Sequence, residues 1–354
     1  MNTIFNTIKE ELQWSDERVD FLVKFTESLI KVKTVNLSEI SKYFDPTIKS
    51  NSSYRRIQRF FMEYNIFFTG FAKLLMKFTT EDKKVLILDR TQWKGVNIFF
   101  LAIEYQGVAI PILWDVLDKK GNTNTLERIS LIDDYVNVFG VENIKYLTAD
   151  REFIGKEWFN WLKDKKINFL IRLKSNFLIE EGIKGKKKIK GYYRYYESKE
   201  KVTKLFGIEL RIMGKRINNK ELLIVATNMI EIELDDYSKR WGIETMFLCL
   251  KSKGFNLEDT KMKESYKIDK LIALLSLSYC WCLITGNLFK HKDSRYRKEL
   301  GYYSKSIFKI GLDRLSITII DKFLRPKEYL KINSLFSSVI NGFRWGVVEW
   351  GSNH

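Results

Sequence analysis

Apolar residues recur at helical spacing from residue 1 to about 80, where Pro46 is the lone proline and no alternating run suggests a strand. Within this stretch NLSEISKYF, the turn-rich DPTIKSNSS and YRRIQRFFMEY predict two short helices joined by a loop, with Ser52 or Ser53 as N-cap of the second. At about 100° per residue, Arg55, Arg56 and Arg59 fall on one side of that helix, and Ile57, Phe60, Phe61 and Tyr64 on the other. Such a pair is either a helix-turn-helix DNA module or part of an ordinary three-helix bundle with a solvated basic face.

From Val85 the period shortens. VLILD, IFFLAIEY and VAIPILWDVL predict three strands separated by turns at Lys94-Gly95 and Gln106-Gly107. LERISLIDDYVNVFG then has helical spacing and a stop at Gly140, IKYLTAD is a strand, KEWFNWLKDKK a helix and NFLIRLK a further strand. The order βββαβαβ is that of an α/β, ribonuclease-H-like fold, in which an acid ending the first strand lies beside one ending the fourth. Residues 174–228 read as a basic, β-rich insertion, with short runs broken at Gly182, Gly185, Gly191 and Asn218-Asn219 before the strand ELLIVATN. A helix is expected from Tyr237 to about Lys253. The organisation predicted is a helical region 1–80, the first part of the core 81–173, the insertion 174–228, the second part of the core 229–290, and a C-terminal region 291–354 as candidate for dimerisation.

Leu271 to Phe289 carries no charge, a length that would cross a bilayer. Ser276, Ser278, Thr285, Gly286 and Asn287 interrupt it, and a charged amphipathic segment precedes it, so it is expected to fill a core and no membrane partner is expected.

Composition sharpens this picture. The chain has 61 Lys+Arg against 44 Asp+Glu, a net charge of +17, on a 45% hydrophobic background that supports a real core. Such an excess points to an anionic partner, nucleic acid first and an anionic membrane surface second. Lys174 to Lys220 holds 14 basic and 5 acidic residues, or +9, whereas residues 1–80 carry 12 against 9, only +3. The only histidines are His291 and His354, so histidine-based triads and metal sites are nearly excluded and any catalysis falls to carboxylates. Cys249, Cys280 and Cys282 form neither a disulfide framework nor a zinc motif, and MNTIFNTIKEELQW lacks the apolar core of a signal peptide, so a cytoplasmic location is expected.

Asp89 closes VLILD and Asp150 closes IKYLTAD; an acid at the end of a buried strand is costly unless positive charge meets it there. In YSKRWGIETMFLCLK, taking Tyr237 as 0°, Arg240 falls near 300°, Glu244 near 340° and Lys251 near 320° on a helix. All four share an arc of roughly 60°, which suits either an active-site helix or a surface helix with ordinary charge pairs.

The spacing Tyr237-x2-Arg240-x3-Glu244-x6-Lys251 resembles the Y-R-E-K signature of the insertion-sequence type 4 group of DDE transposases. LILDRTQWKGVNIFFLAIEYQGVAIPILWDVLDKKGNTNT is similar to the block around that family's first aspartate, and LTADREFIGKEWFNWL to the block around its second. The likeness covers roughly residues 85–263. It implies a ribonuclease-H-like DDE core in which Asp89, Asp150 and Glu244 form the catalytic and metal-binding triad, holding Mg²⁺, with Mn²⁺ also suited. It further implies phosphate contacts from Arg240 and Lys251, a DNA contact from Tyr237, and others from Arg90, Gln92 and Trp93, although Trp93 suits a core equally. Lys186, Lys187 and Lys188, with Lys184, Lys190 and Arg194, would track a DNA backbone, and Arg55, Arg56 and Arg59 would serve the N-terminal module. The implied partners are double-stranded DNA, as transposon ends and target, and a second copy of the chain; the implied setting is the bacterial nucleoid. The activity is cleavage of the ends and joining of their 3′-hydroxyls to target DNA. Better-studied relatives stack a flipped base on a tryptophan of the insertion; residues 174–228 contain none. Tyr192, Tyr193, Tyr195, Tyr196 and Phe206 are the aromatic replacements, and the hairpin route stays open. Alternatives are a catalytically silent, domesticated DNA-binding protein, a metal-dependent nuclease without strand transfer, and a helix-turn-helix regulator.

Overall fold

In the computed structural model residues 3–176, 178–180, 186–188, 198–217, 222–293, 296–297 and 302–345 are described. They belong to two compact units, one of Met1–Thr80 with Thr245–His354 and one of Glu81–Glu244. The first begins with five helices: α1 (Thr3–Leu12), α2 (Asp16–Val32), α3 (Leu37–Phe44), α4 (Ser50–Glu63) and α5 (Phe68–Met76). The side chain of Asn36 caps α3 by accepting from the Ser38 amide at 3.0 Å. No serine caps α4. Its N-cap is Lys49, without a side-chain bond, and Ser53 is buried inside the helix. The loop is shorter than its composition suggests because Asp45 ties it, accepting from the Thr47 amide at 3.0 Å and hydroxyl at 2.6 Å and from Lys24 Nζ at 2.7 Å. The Lys24 bond leads the causes that hold the Asp45 carboxyl down at about 2. Phe21 stacks on Phe60 with centroids 3.9 Å apart, and Phe44, Phe25 and Phe61 complete the aromatic centre of α2, α3 and α4.

In Glu81–Glu244 three strands form a meander: β1 (Lys84–Trp93), β2 (Val96–Tyr105) and β3 (Val108–Leu117). Lys94-Gly95 and Gln106-Gly107 have positive φ at both positions, 42° and 90° then 52° and 83°, the pairing that suits two-residue hairpins. α6 (Thr125–Phe139) starts at a reciprocal capping box of Asn124 and Glu127 and ends at Gly140. β4 (Ile144–Ala149) lies parallel to β1, α7 (Lys156–Asp164) follows, and β5 (Phe169–Arg172) lies parallel to β4. The order βββαβαβ is therefore realised, and the sheet suits an α/β, ribonuclease-H-like core.

The insertion departs from a separate module. β6 (Leu178–Glu180) and β7 (Lys186–Lys188) form a small ladder, but β8 (Ser198–Leu205), β9 (Ile208–Arg216) and β10 (Leu222–Thr227) join the main sheet, whose order is β3-β2-β1-β4-β5-β10-β9-β8. β10 runs antiparallel to β5 and covers backbone groups that would otherwise be an open edge. Phe206, at the β8–β9 turn, packs edge-on against Phe159 of α7 at 5.8 Å.

The segment expected as one helix from Tyr237 is broken. A 3-10 turn spans Leu234–Arg240, and α8 is Trp241–Leu250. Gly242 marks a close approach: a Cβ there would lie 3.2 Å from backbone atoms of Val108 and Ala109 at the start of β3.

The helical unit is completed by α9 (Ser265–Asp293), α10 (Ile307–Ile320) and α11 (Pro326–Ile340), with a short ladder of β11 (Tyr296–Arg297) and β12 (Tyr302–Tyr303). α9 is long and apolar enough to cross a membrane, yet 89% of its most apolar stretch is buried within the fold. It crosses α10 in backbone contact: a Cβ on Gly286 would sit 1.8 Å from the Ile307 carbonyl oxygen, and one on Gly311 1.7 Å from that of Cys282. Buried Lys270 donates from α9 to the Phe61 carbonyl of α4 at 2.9 Å.

Candidate active site

The register of β1 against β4 builds the site. Leu88 pairs with Ala149 across the parallel ladder, so the next residues, Asp89 and Asp150, stand at neighbouring strand positions. Asp89 is mostly buried, with Oδ1 accepting from the Arg90 amide at 2.7 Å and Oδ2 lying 2.9 Å from Arg240 Nη1. Burial pushes its carboxyl up to about 7; Arg240 and the Arg90 amide oppose the rise, while Glu152 and Asp150 add to it. The Tyr237 hydroxyl donates to Asp150 Oδ1 at 3.4 Å, and Arg172 Nη1 lies 3.9 Å from the same oxygen. Burial lifts the Tyr237 phenol well above its ordinary value, so it remains a donor.

Arg240 ties the carboxylates together. Its guanidinium is only 4% exposed and pairs with both Asp89 and Glu244, whose side chain is 55% exposed. Burial disfavours its charge, but Tyr237, Glu244 and Asp89 outweigh that and hold it protonated. The 3-10 turn places Tyr237 and Arg240 inward before α8 presents Glu244 outward, so the three do not share the single helical arc expected from the sequence. Lys251 belongs to the helical unit, where its Nζ lies 3.2 Å from Glu258.

A second layer surrounds Arg90 and Gln92, both expected from the sequence as DNA contacts. Arg90 reaches Glu152 with Nε and Nη2 at 3.3 Å each, Asn97 and Gln92 with Nη1 at 3.1 and 3.0 Å, and Asn122 with Nη2 at 3.2 Å. Buried Asn97 in turn donates to the carbonyls of Lys119 and Gly121 at 2.9 and 3.0 Å. Glu152 was missed, and its place two positions beyond Asp150 was the signal that could have found it. Arg172, Asn97 and Asn122 gave no signal because polar residues at strand ends and in turns are common. Gln92 is exposed, whereas Trp93 is 7% exposed and belongs to the core; at this turn β1 alternates, and only the odd position faces inward. Of the N-terminal arginines, Arg55 and Arg59 are exposed, but Arg56 is turned onto Asp20 at 3.0 Å and Asp45 at 4.0 Å. Lys186, Lys187 and Lys188 form β7, with side chains outside the described residues. Lys184, Lys190, Arg194, Tyr192, Tyr193, Tyr195 and Tyr196 also lie outside them.

Asp89, Asp150 and Glu244 supply only hard oxygen donors, which suit Mg²⁺ or Mn²⁺. Among the described residues, however, no group of three or more His, Cys, Asp or Glu side chains is gathered closely enough to share an ion. The Arg240 guanidinium joins Asp89 to Glu244 instead. Asp89 and Asp150 thus offer oxygens to one side of a cation site, while Arg240 engages both Asp89 and Glu244.

A mixed α/β core of ribonuclease-H-like order, with carboxylates following adjacent parallel strands, is the class of fold that the structure defines. Residues 81–281 match the family described as the transposase DDE domain, over half of the sequence, and the chain belongs to that family. No curated protein matches it. Among solved structures it is similar to a piggyBac transposase, determined by cryo-EM as a synaptic complex with hairpin DNA. The identity is 12% and the TM-score 0.40, over 91% of this chain and 76% of that one.

Proposed function

We propose that this DDE transposase is of the insertion-sequence type 4, Y-R-E-K group, that it binds terminal inverted repeats, and that it cleaves them and joins their 3′-hydroxyls to target DNA. The observation that carries this is the Leu88–Ala149 register, which aligns Asp89 with Asp150 inside the region matching the family. Asp89, Asp150 and Glu244 are assigned as the triad. A divalent ion held by them would activate the attacking oxygen and neutralise charge on the leaving one.

In the first step water attacks phosphorus at the transposon end; the bond to the 3′-oxygen breaks, leaving a 3′-hydroxyl and a 5′-phosphate. In the second, that 3′-hydroxyl attacks a target phosphate, a new phosphodiester forms and the target's own 3′-oxygen leaves. Tyr237 and Arg172 orient Asp150. Arg240 holds Asp89 and Glu244 until a scissile phosphate, itself an anion, competes for the guanidinium and frees Glu244. Lys251 and the basic residues of the insertion contact backbone phosphates. The N-terminal helices bind DNA, and two copies of the chain pair two ends, because each reaction unites both ends with one target.

The test combines the full-length protein with Mg²⁺, a supercoiled target and labelled DNA bearing the element's terminal repeats. Strand-transfer product from the wild type and none from Asp89→Asn is expected. Absence of product from the wild type, or equal product from the variant, overturns the assignment.

A further inference from the structure

We propose that Arg90 makes no DNA contact and is instead a positioning residue of the active site, and that the amide of Asn122, which Arg90 orients, donates to a backbone phosphate of the bound strand. This rests on the DNA-transposase function proposed above and changes which side chain beside Asp89 meets the substrate.

A guanidinium carries five N–H donors and no acceptor. In Arg90 all of them are taken: Nε and one Nη2 donor by the two Glu152 carboxylate oxygens, the other Nη2 donor by Asn122, and the Nη1 donors by Gln92 and Asn97. The side chain is 14% exposed and its charge is met by Glu152. No donor is left for a phosphate, and displacing Glu152 would turn a bare carboxylate toward the anion. The bonds of Arg90 join the end of β1, the start of β2, the loop between β3 and α6, and the turn after β4. Arg90 follows Asp89, and its amide donates to that carboxylate. Glu152 stands in the turn that begins at Asp150, where the Phe153 amide donates to the Asp150 carbonyl at 3.0 Å.

Asn122 has a group to spare. Because a guanidinium only donates, the Asn122 amide oxygen faces Arg90, and Nδ2 with its two N–H donors faces away. Asn122 is exposed, and its Nδ2 makes no hydrogen bond among the described residues. The backbone on either side of it is pinned. Buried Asn97 holds the Lys119 and Gly121 carbonyls, and buried Arg128 donates to the Thr123 carbonyl and hydroxyl at 2.7 and 2.9 Å. Arg128 Nη2 also donates to the Glu152 carbonyl at 3.0 Å, so the loop of Asn122 and the turn of Glu152 are tied both through Arg90 and through Arg128. A donor held this firmly, one guanidinium away from Asp89, suits a phosphate, which asparagine contacts without reading sequence. A neutral amide also suits this place, since a free cation would pair with the carboxylates as Arg240 does.

The test measures binding of the full-length protein to labelled duplexes bearing the terminal repeats, over a range of salt and without divalent ion, beside strand transfer with Mg²⁺; thermal melts verify folding. Asn122→Ala is expected to lower affinity about tenfold for all sequences alike, with an unchanged salt slope because an amide releases no counterion. Arg90→Gln combined with Glu152→Gln, which keeps the net charge, is expected to leave the slope unchanged and to slow strand transfer about a hundredfold. An Arg90 that contacts phosphate would instead lose about one unit of slope. Arg90→Lys keeps the charge but not the fork and is expected not to restore strand transfer. In the Arg90→Gln background, Asn122→Ala should cost no further affinity, because the amide is no longer aimed; independent structural roles would give additive losses. Should the Arg90 variants misfold, Asn122→Asp, which sets a carboxylate where the donor was, must weaken binding more than Asn122→Ala. A lower slope in the paired variant, rescue by Arg90→Lys, or unchanged affinity in folded Asn122→Ala overturns the proposal, and so does a loss confined to one base pair beside the cleavage point. Binding without strand transfer by wild type refutes the transposition reaction instead, and the binding results then still decide the roles of Arg90 and Asn122.

Discussion

Asp89 combines a catalytic assignment with a folding cost. Its carboxyl is raised from 3.8 to about 7 by burial, so the folded state binds the extra proton between those values and stability falls as pH rises through them. Asp89→Asn removes that dependence. Thermal melts are expected to show the variant gaining stability relative to wild type at pH 8, with the gain shrinking toward pH 4; a constant difference across that range would show that the carboxyl is not raised. Single residues were legible where backbone position decided their placement. Asp89 and Asp150 end apolar runs, and the parallel ladder did the rest. Arg56 and Trp93 were not, because a helical wheel or a strand end says which way a side chain points but not whether an Asp45 or a core waits there.

At the scale of elements, turn chemistry carried most of the sheet. The two X-Gly turns set the meander, and Gly140 ended α6, each by a backbone conformation with positive φ. The 3-10 turn before α8 was hidden, since its sequence has the same apolar spacing as a helix. Packing of α9 was also hidden: its composition fits either a membrane or a core, and the deciding contact with α10 depends on two glycines 25 residues apart in sequence. Gly286→Leu forces side-chain atoms into the Ile307 carbonyl, a stronger overlap than the overpacking that typically costs about 1–3 kcal/mol. A large loss of thermal stability is expected in melts, and an unchanged midpoint would mean that the two helices separate freely.

Across the whole molecule, net charge was the most legible property and sheet extent the least. The +9 of Lys174–Lys220 suggested a module standing apart, but charge reports which residues meet solvent, not which strands pair. Pairing of β10 with β5 links distant segments, and no local pattern announces it. Removing residues 178–197, β6 and β7 included, with a short linker closing the gap, is expected to leave a soluble, folded protein whose DNA affinity falls less steeply with salt. Removing 174–228 exposes the edge of β5 and is expected to give aggregation in size-exclusion chromatography; a soluble, folded product would contradict the shared sheet. The seam at which this chain can be cut and rejoined therefore lies inside the insertion, after β5 and before β8. What lies within that seam is joined to the main sheet by no strand pairing, while β8, β9 and β10 cannot be removed without opening the sheet.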